Sequence, residues 1–374
     1  MEDIKMVDTK AQYAKLKPEL DAAFSAVMAS MRMEEGPQVQ EFARTLGHYL
    51  QVEYVIPCAS GTDALQLALL ALQLPEGAEV IIPSFNYESA AEILLKLKLK
   101  PVFADVDTQT FNLDPASVER CITPATAAVI PVHLFGQCAP MHELMELASK
   151  YKLWVVEDAT QSLGAVYVGP DGKEQKAGAI GHISFTAFYP AKPVGGAGDG
   201  GAVLTILPEL AERTQQTAKD GMGGKYEFSS RLETLQAAML NVKIKYLDEY
   251  NEARQEIARF YDNAFAETEL VQAPHRATYS SQTYQQYTIK VPPALQDGLR
   301  QYLLDNHIPS AIYYPQPLHL QQIYTSLGYR EGDLPVAEML CRSVLSLPIH
   351  SELKEDQLTY ICYHVLNYVK QSMV

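Results

Sequence analysis

Lys192 is held in Phe188-Tyr189-Pro190-Ala191-Lys192-Pro193-Val194-Gly195-Gly196-Ala197-Gly198-Asp199-Gly200-Gly201, between two prolines and a run of glycines. Prolines fix φ and remove amide donors, while glycines admit backbone paths closed to other residues. A loop of that composition can aim one amine into a cleft, where a desolvated lysine forms a Schiff base with a carbonyl. A lone lysine would more often mark a surface turn, because lysine is rarely buried. Two other segments shift that balance. Leu153–Glu157 reads as a buried strand, followed by Asp158-Ala159-Thr160-Gln161. A carboxylate at such a strand end faces the crevice where α/β folds bind ligands. Earlier, Ala59-Ser60-Gly61-Thr62-Asp63 joins an apolar strand to an apolar-rich helix. Small residues at a helix start leave backbone N–H groups free for an anion.

In chain order these are an anion cup, an acid and an amine, which is what pyridoxal phosphate (PLP) requires. Its phosphate needs donors, its ring nitrogen needs an anion to stay protonated, and its aldehyde needs a lysine. Gly61 and Thr62 are therefore expected to bind phosphate, Asp158 the ring nitrogen, and Lys192 the aldehyde. Burial should lower the pKa of Lys192 enough for a neutral amine to move protons near pH 7. Competing structural roles are helix N-caps, for Thr62 and for Asp158. Gly196–Gly201 also spells G-x-G-x-x-G, but it runs into the strand-like Ala202–Thr205. A dinucleotide fingerprint must open a helix, so that reading fails. His133 and His350 lack metal-ligand neighbours at useful spacing, and no metal is expected.

Stepping along the chain, 374 residues with 47% apolar content predict a large core and more than one simple domain. A net charge of −15 argues against nucleic-acid or anionic-membrane partners. Five cysteines without paired spacing, an N-terminus unlike a signal peptide and no span-length apolar run fit a cytoplasmic protein. Strands are expected at Tyr54–Cys58, Glu79–Pro83, Pro101–Ala104, Ala128–Pro131, Leu153–Glu157, Ile183–Thr186 and Ala202–Thr205. Helices at Val39–Leu50, Ala64–Leu74, Ser89–Leu97, Met141–Tyr151 and Pro208–Ala218 alternate with them, the pattern of a mostly parallel sheet covered by helices. Pro83, Asp105, Pro131 and Asp158 would gather along one sheet edge, with the site there. A helical stretch from Leu232 to Thr268 then bridges to a smaller region of strands (Gln286–Val291, Ile312–Tyr314) and helices (Gln296–Asn306, Asp356–Lys370). The expected division is a large α/β domain over 1–245 and a small α+β domain over 246–374.

The same segments resemble the DegT/DnrJ/EryC1/StrS family of PLP-dependent sugar aminotransferases along the whole chain. The matching residues include Ser60–Leu65, Pro83–Tyr87, Pro131–Gln137, Glu157–Ser162, the Lys192 loop, Ser230–Ala238, Tyr314–His319 and Leu345–His350. The Tyr189–Gly195 loop and Gly136–Ala139 are most similar to enzymes that aminate C3 of UDP-2-acetamido-2-deoxy-3-oxo-glucuronate for bacterial surface polysaccharide such as O-antigen. The resemblance implies PLP fold type I, L-glutamate as donor with 2-oxoglutarate as its product, and a homodimer with shared sites. It also implies that Gln161 meets the cofactor's phenolic oxygen and that Tyr87 stacks on its ring. By the same match Ser229 reaches the neighbour's phosphate, and Arg231, Tyr313, Tyr314 and His319 form the sugar pocket.

The chain departs from the family's pattern in three places. Ala187, beside Thr186, replaces a phosphate-binding serine; Ser229 replaces an asparagine; and Tyr313 replaces a histidine. Losing a hydrogen bond to a charged phosphate costs ~1.5–3 kcal/mol. A nucleotide 4-oxo-sugar aminotransferase, a sugar dehydratase on the same fold, and a non-catalytic ligand-binding protein are the alternative readings.

Overall fold

The computed structural model describes residues 3–221 and 229–372. Helices α1 (Thr9–Ser30) and α2 (Pro37–Leu50) come first. Short apolar runs then alternate with amphipathic ones: β1 (Tyr54–Cys58), α3 (Gly61–Ala71), β2 (Glu79–Pro83), α4 (Ser89–Lys96), β3 (Lys100–Ala104), α5 (Pro115–Cys121), β4 (Thr126–Val129), α6 (Met141–Tyr151) and β5 (Trp154–Asp158). A small hairpin of β6 (Val166–Val168) and β7 (Glu174–Lys176) precedes β8 (Ile183–Ala187), β9 (Gly201–Thr205) and α7 (Pro208–Asp220). The rest comprises α8 (Thr234–Lys243), α9 (Leu247–Phe265), β10 (Tyr287–Lys290), α10 (Pro293–Asp305), α11 (Pro335–Cys341), β11 (Val344–Leu347) and α12 (Glu355–Gln371).

The main sheet has the order β1-β9-β8-β5-β4-β2-β3. Its strands β3, β2, β4, β5 and β8 are parallel, and β2 is buried along its whole length because helices cover both faces. Strand β9 runs antiparallel to both β8 and β1. This reversal positions the site. Residues 188–200 connect β8 back to β9 at the sheet edge where β5 ends in Asp158, so the lysine loop arches over that carboxylate's strand end.

The expected strands and helices of the first half appear, with ends moved by up to three residues. Three differences have physical causes. Helix α1 went unforeseen because only Leu16, Leu20 and Val27 are buried along its 22 residues and Pro18 interrupts the pattern. The stretch expected as one long helix is α8 and α9, joined by a 3-10 turn at Ile244–Tyr246. Residues 312–314 form no strand; Ala311 makes a single bridge to Ser346, and the partner of β10 is β11.

Two cores flank α9. Leu247 at its start packs with Phe42, Phe188 and Leu204, while Tyr261 and Phe265 at its end pack with Tyr287, Leu299 and Ile361. Residues from the later part of the chain, including Tyr314, Leu318 and Leu340, return to the main core beside Phe85 and Phe103. That return carries one wall of the site.

Candidate active site

The lysine loop is clipped at its base. Phe188 N donates to Gly200 O at 2.7 Å and Gly196 N donates to Phe188 O at 2.7 Å, while Lys192 N reaches Tyr189 O at 2.8 Å. Phe188 is fully buried edge-on against Phe42, 5.0 Å between centroids. None of the loop glycines adopts the left-handed region. Their role is close approach: a Cβ on Gly195 would lie 2.4 Å from Pro190 O, and one on Gly201 would lie 2.3 Å from Ser60 O. The Lys192 side chain as a whole is half-buried. Burial pushes its pKa down to about 8, Asp158 pulling it up and Arg254 adding to the fall.

Asp158 is buried at the end of β5, where its Oδ1 accepts from Thr160 N at 2.9 Å. Burial raises its pKa, against the opposing hydrogen bonds from Thr160 and the charge of Lys192. Next to it Glu157, fully buried, turns the other way. It takes Nε2 of His133 at 2.7 Å and the amides of Ile180 and Gly181 at 2.9 and 2.7 Å. Burial alone would raise the Glu157 pKa, but His133 and these donors bring it below the ordinary value. Glu157 thus anchors the chain behind the site and leaves Asp158 to face it.

The anion cup starts earlier than the sequence pattern indicated, with α3 beginning at Gly61 instead of Ala64. Ser60, not Thr62, is the N-cap: its Oγ accepts from Asp63 N at 3.0 Å. Thr62 is exposed on the first turn, and the amides of Gly61 and Thr62 stand before the first intrahelical bond. A Cβ on Gly61 would lie 2.6 Å from the Cβ of Ala187, so this glycine is set by close packing on β8. Ser230 braces the cup, donating to Asp63 Oδ2 at 2.6 Å and accepting from Ala59 N at 3.0 Å.

The far wall is aromatic. Gln161 is buried, with Oε1 accepting from Phe135 N at 3.1 Å and Nε2 donating to the Tyr314 hydroxyl at 3.2 Å. Its second N–H remains for a ligand oxygen. The Tyr314 ring stacks on Phe135 and meets Tyr87 edge-on at 4.9 Å. Tyr87 is 45% exposed, so its ring has a free face. Tyr87, Tyr313 and Tyr314, with Asn86, Glu92 and Gln316, line an open cavity of about 700 Å³. These residues fit PLP: an amine, a buried carboxylate, a helix start with a glycine cradle, and an exposed ring together match the cofactor's donor and acceptor needs. Among the described residues no cluster of His, Cys, Asp or Glu is placed to hold a metal, and no helix is long and apolar enough to cross a membrane.

Comparison with known proteins decides the family. Residues 14–366 match the model of the DegT/DnrJ/EryC1/StrS aminotransferase family. The chain belongs to that family. It is 37% identical over 98% of its length to a protein of Geobacillus stearothermophilus described as a pleiotropic regulatory protein, covering 99% of that chain. It is 36% identical over 97% of its length, and 100% of the relative's, to the UDP-2-acetamido-2-deoxy-3-oxo-D-glucuronate aminotransferase of Pseudomonas aeruginosa. The crystal structure of S. venezuelae DesV, described as in complex with a ketimine intermediate, superposes with a TM-score of 0.92 at 36% identity, covering 98% of this chain and 99% of DesV.

This family member brings Lys192, Asp158, Gln161, Gly61, Thr62, Tyr87, Tyr313 and Tyr314 to one sheet edge or its facing wall. It does not bring His319 there. His319 is buried, with Nδ1 2.7 Å from Ser84 Oγ and Nε2 3.2 Å from Glu338 Oε1. Both nitrogens are taken, so His319 ties the Tyr87 loop to the Tyr314 segment from behind. Thr186 cannot replace the serine that Ala187 lacks, because its hydroxyl is buried and donates to Ala159 O at 3.3 Å. Ser229 and Arg231 are exposed, and Arg231 pairs with Glu35 at 3.4 Å on the surface of its own chain. Sequence reasoning missed Ser60, Ser230, Gln285 and Arg254. The Ser-x-x-Asp spacing from Ser60 to Asp63 was a readable cap signal.

Proposed function

We propose that this PLP-dependent aminotransferase carries the amino group of L-glutamate to C3 of a UDP-linked 3-oxo sugar, UDP-2-acetamido-2-deoxy-3-oxo-glucuronate foremost. The observation that carries the catalytic part is a single one: a buried-amine lysine arched over the strand that ends in Asp158. The substrate part is supported by the end-to-end likeness to the P. aeruginosa enzyme.

When bound, PLP supplies an aldehyde that captures amines and a protonated ring that accepts the electron pair released at the substrate carbon. Lys192 Nζ would hold the cofactor's aldehyde carbon and, as a neutral amine, would take and return a proton at the reacting carbon. A pKa of about 8 leaves a usable fraction of neutral amine near neutrality. Asp158 would keep the proton on the ring nitrogen. The amides of Gly61 and Thr62 and the Thr62 hydroxyl would take the phosphate, while Gln161 would donate to the phenolic oxygen and Tyr87 would cover the ring. The net exchange converts L-glutamate and the 3-oxo sugar into 2-oxoglutarate and the 3-amino sugar, amine and oxo oxygen trading places. Tyr313 and Tyr314 bound the sugar. Ser229 and Arg231 act from a second copy of the chain in a homodimer, Arg231 pairing bidentately with a sugar carboxylate. The product enters bacterial surface polysaccharide synthesis in the cytoplasm.

The test is turnover with glutamate and a panel of UDP-3-oxo and nucleotide 4-oxo sugars, with NMR of the product. Amination at C3 is expected. Amination at C4 alone would replace this substrate reading with the 4-oxo one.

A further inference from the structure

We propose that Arg254 is a positioning residue: a buried guanidinium that steadies the lysine loop through Gln285 and, by its charge, keeps the Lys192 amine neutral and nucleophilic. The inference rests on Lys192 being the cofactor-binding amine. Arg254 lies on α9 and is only 4% exposed. Its Nη1 donates to Gln285 Oε1 at 3.4 Å, and Gln285 Nε2 donates to Ala191 O at 3.2 Å, the residue before Lys192. Gln285 is itself buried, its side chain held between these two partners. Among the described residues the Arg254 Nε has no hydrogen-bond partner and no carboxylate pairs with the guanidinium, and burial pushes its pKa down.

An unpaired buried charge is costly, and such groups concentrate where their field is used. The charges acting on Lys192 are Asp158 from β5, which favours its protonation, and Arg254 from α9, which opposes it. His133, behind Asp158, acts on that carboxylate. His350, which follows β11, also feels Arg254 and is held neutral down to about 4 by burial and that charge, with Asp8 and Lys5 acting on it as well. Arg254 therefore counters Asp158 at the amine. It does so without contacting the substrate.

The experiment follows PLP capture by the apoprotein across a pH series, read by the absorbance of lysine-linked cofactor and by borohydride reduction with peptide mass mapping. Wild type, Arg254→Gln, Arg254→Lys and Gln285→Leu are compared, each checked for folding by circular dichroism. Removing the charge in Arg254→Gln should move the midpoint of capture upward by about one pH unit. Arg254→Lys should keep the wild-type midpoint. Gln285→Leu should slow capture several-fold at an unchanged midpoint. The proposal is overturned by a folded Arg254→Gln with an unmoved midpoint, including one whose only defect is a higher KM for glutamate. If Arg254→Gln does not fold, an Arg254→Lys midpoint away from wild type, or a Gln285→Leu that captures at full rate, overturns it instead. Wild-type protein that fails to link PLP at Lys192 would sink the parent reading and not this one alone.

Discussion

Around Lys192 the backbone is clipped at Phe188, Tyr189, Gly196 and Gly200, and the cup opposite it is capped by Ser60 and braced by Ser230. In the aromatic wall, Tyr87 is half out in solvent and Tyr313 half-buried, held mainly through Tyr314 and the buried His319 tie behind it. The first region ends on sheet strands and cannot move without disturbing the main core. The second is loop, carried back to that core by residues from the far end of the chain. Rigid strand ends suit chemistry that must be the same for every substrate, while a loop wall can be reshaped to suit the sugar.

Substitutions should separate the two regions by kind of effect. Lys192→Ala should abolish cofactor linkage and lower kcat on the order of 10³-fold or more, read by absorbance and turnover. Asp158→Asn should lower kcat by on the order of 10²-fold while PLP still binds, because the ring nitrogen loses its anion. In the wild type, the rate of PLP capture should climb with pH and level off above about 8, since deprotonation of Lys192 frees the attacking amine. Among residues assigned to the sugar, whether in the loop wall or from the second copy, the signature changes. Arg231→Ala should raise KM for a carboxylate-bearing sugar by about tenfold and leave a neutral sugar unaffected, the loss of one charged hydrogen-bonded contact. Tyr313→His should shift preference among oxo sugars only a few-fold, with kcat for the preferred one nearly kept. A kcat collapse in Tyr313→His equal to that of Asp158→Asn would erase the distinction between the regions.

What the sequence disclosed follows the same line. Strand β2 ends where Pro83 said it would, because a Val-Ile-Ile run bounded by proline has few alternatives. The Lys192 loop stands out in the sequence because prolines and glycines flank the lysine; the glycines serve close approach, a tertiary fact no single loop encodes. Thr62 is read from the sequence as a phosphate ligand with capping as its competing role; Ser60 takes the cap, two residues earlier in the same turn. His319 looked like a pocket residue from its motif, but its partners Ser84 and Glu338 lie 235 and 19 residues away in the chain. Arg254 sat unnoticed on a polar-looking helix, since an arginine there normally faces water. Local pattern revealed the chemistry; burial and distant partners had to come from the fold.

The central claim is that one amine, Lys192 Nζ, captures the cofactor. Incubation of the apoprotein with PLP, reduction with borohydride and mass mapping of peptides tests it most directly. The account predicts a single pyridoxyl group on the peptide carrying Lys192, absent from Lys192→Ala. A label on another lysine, or none on either protein, would contradict it.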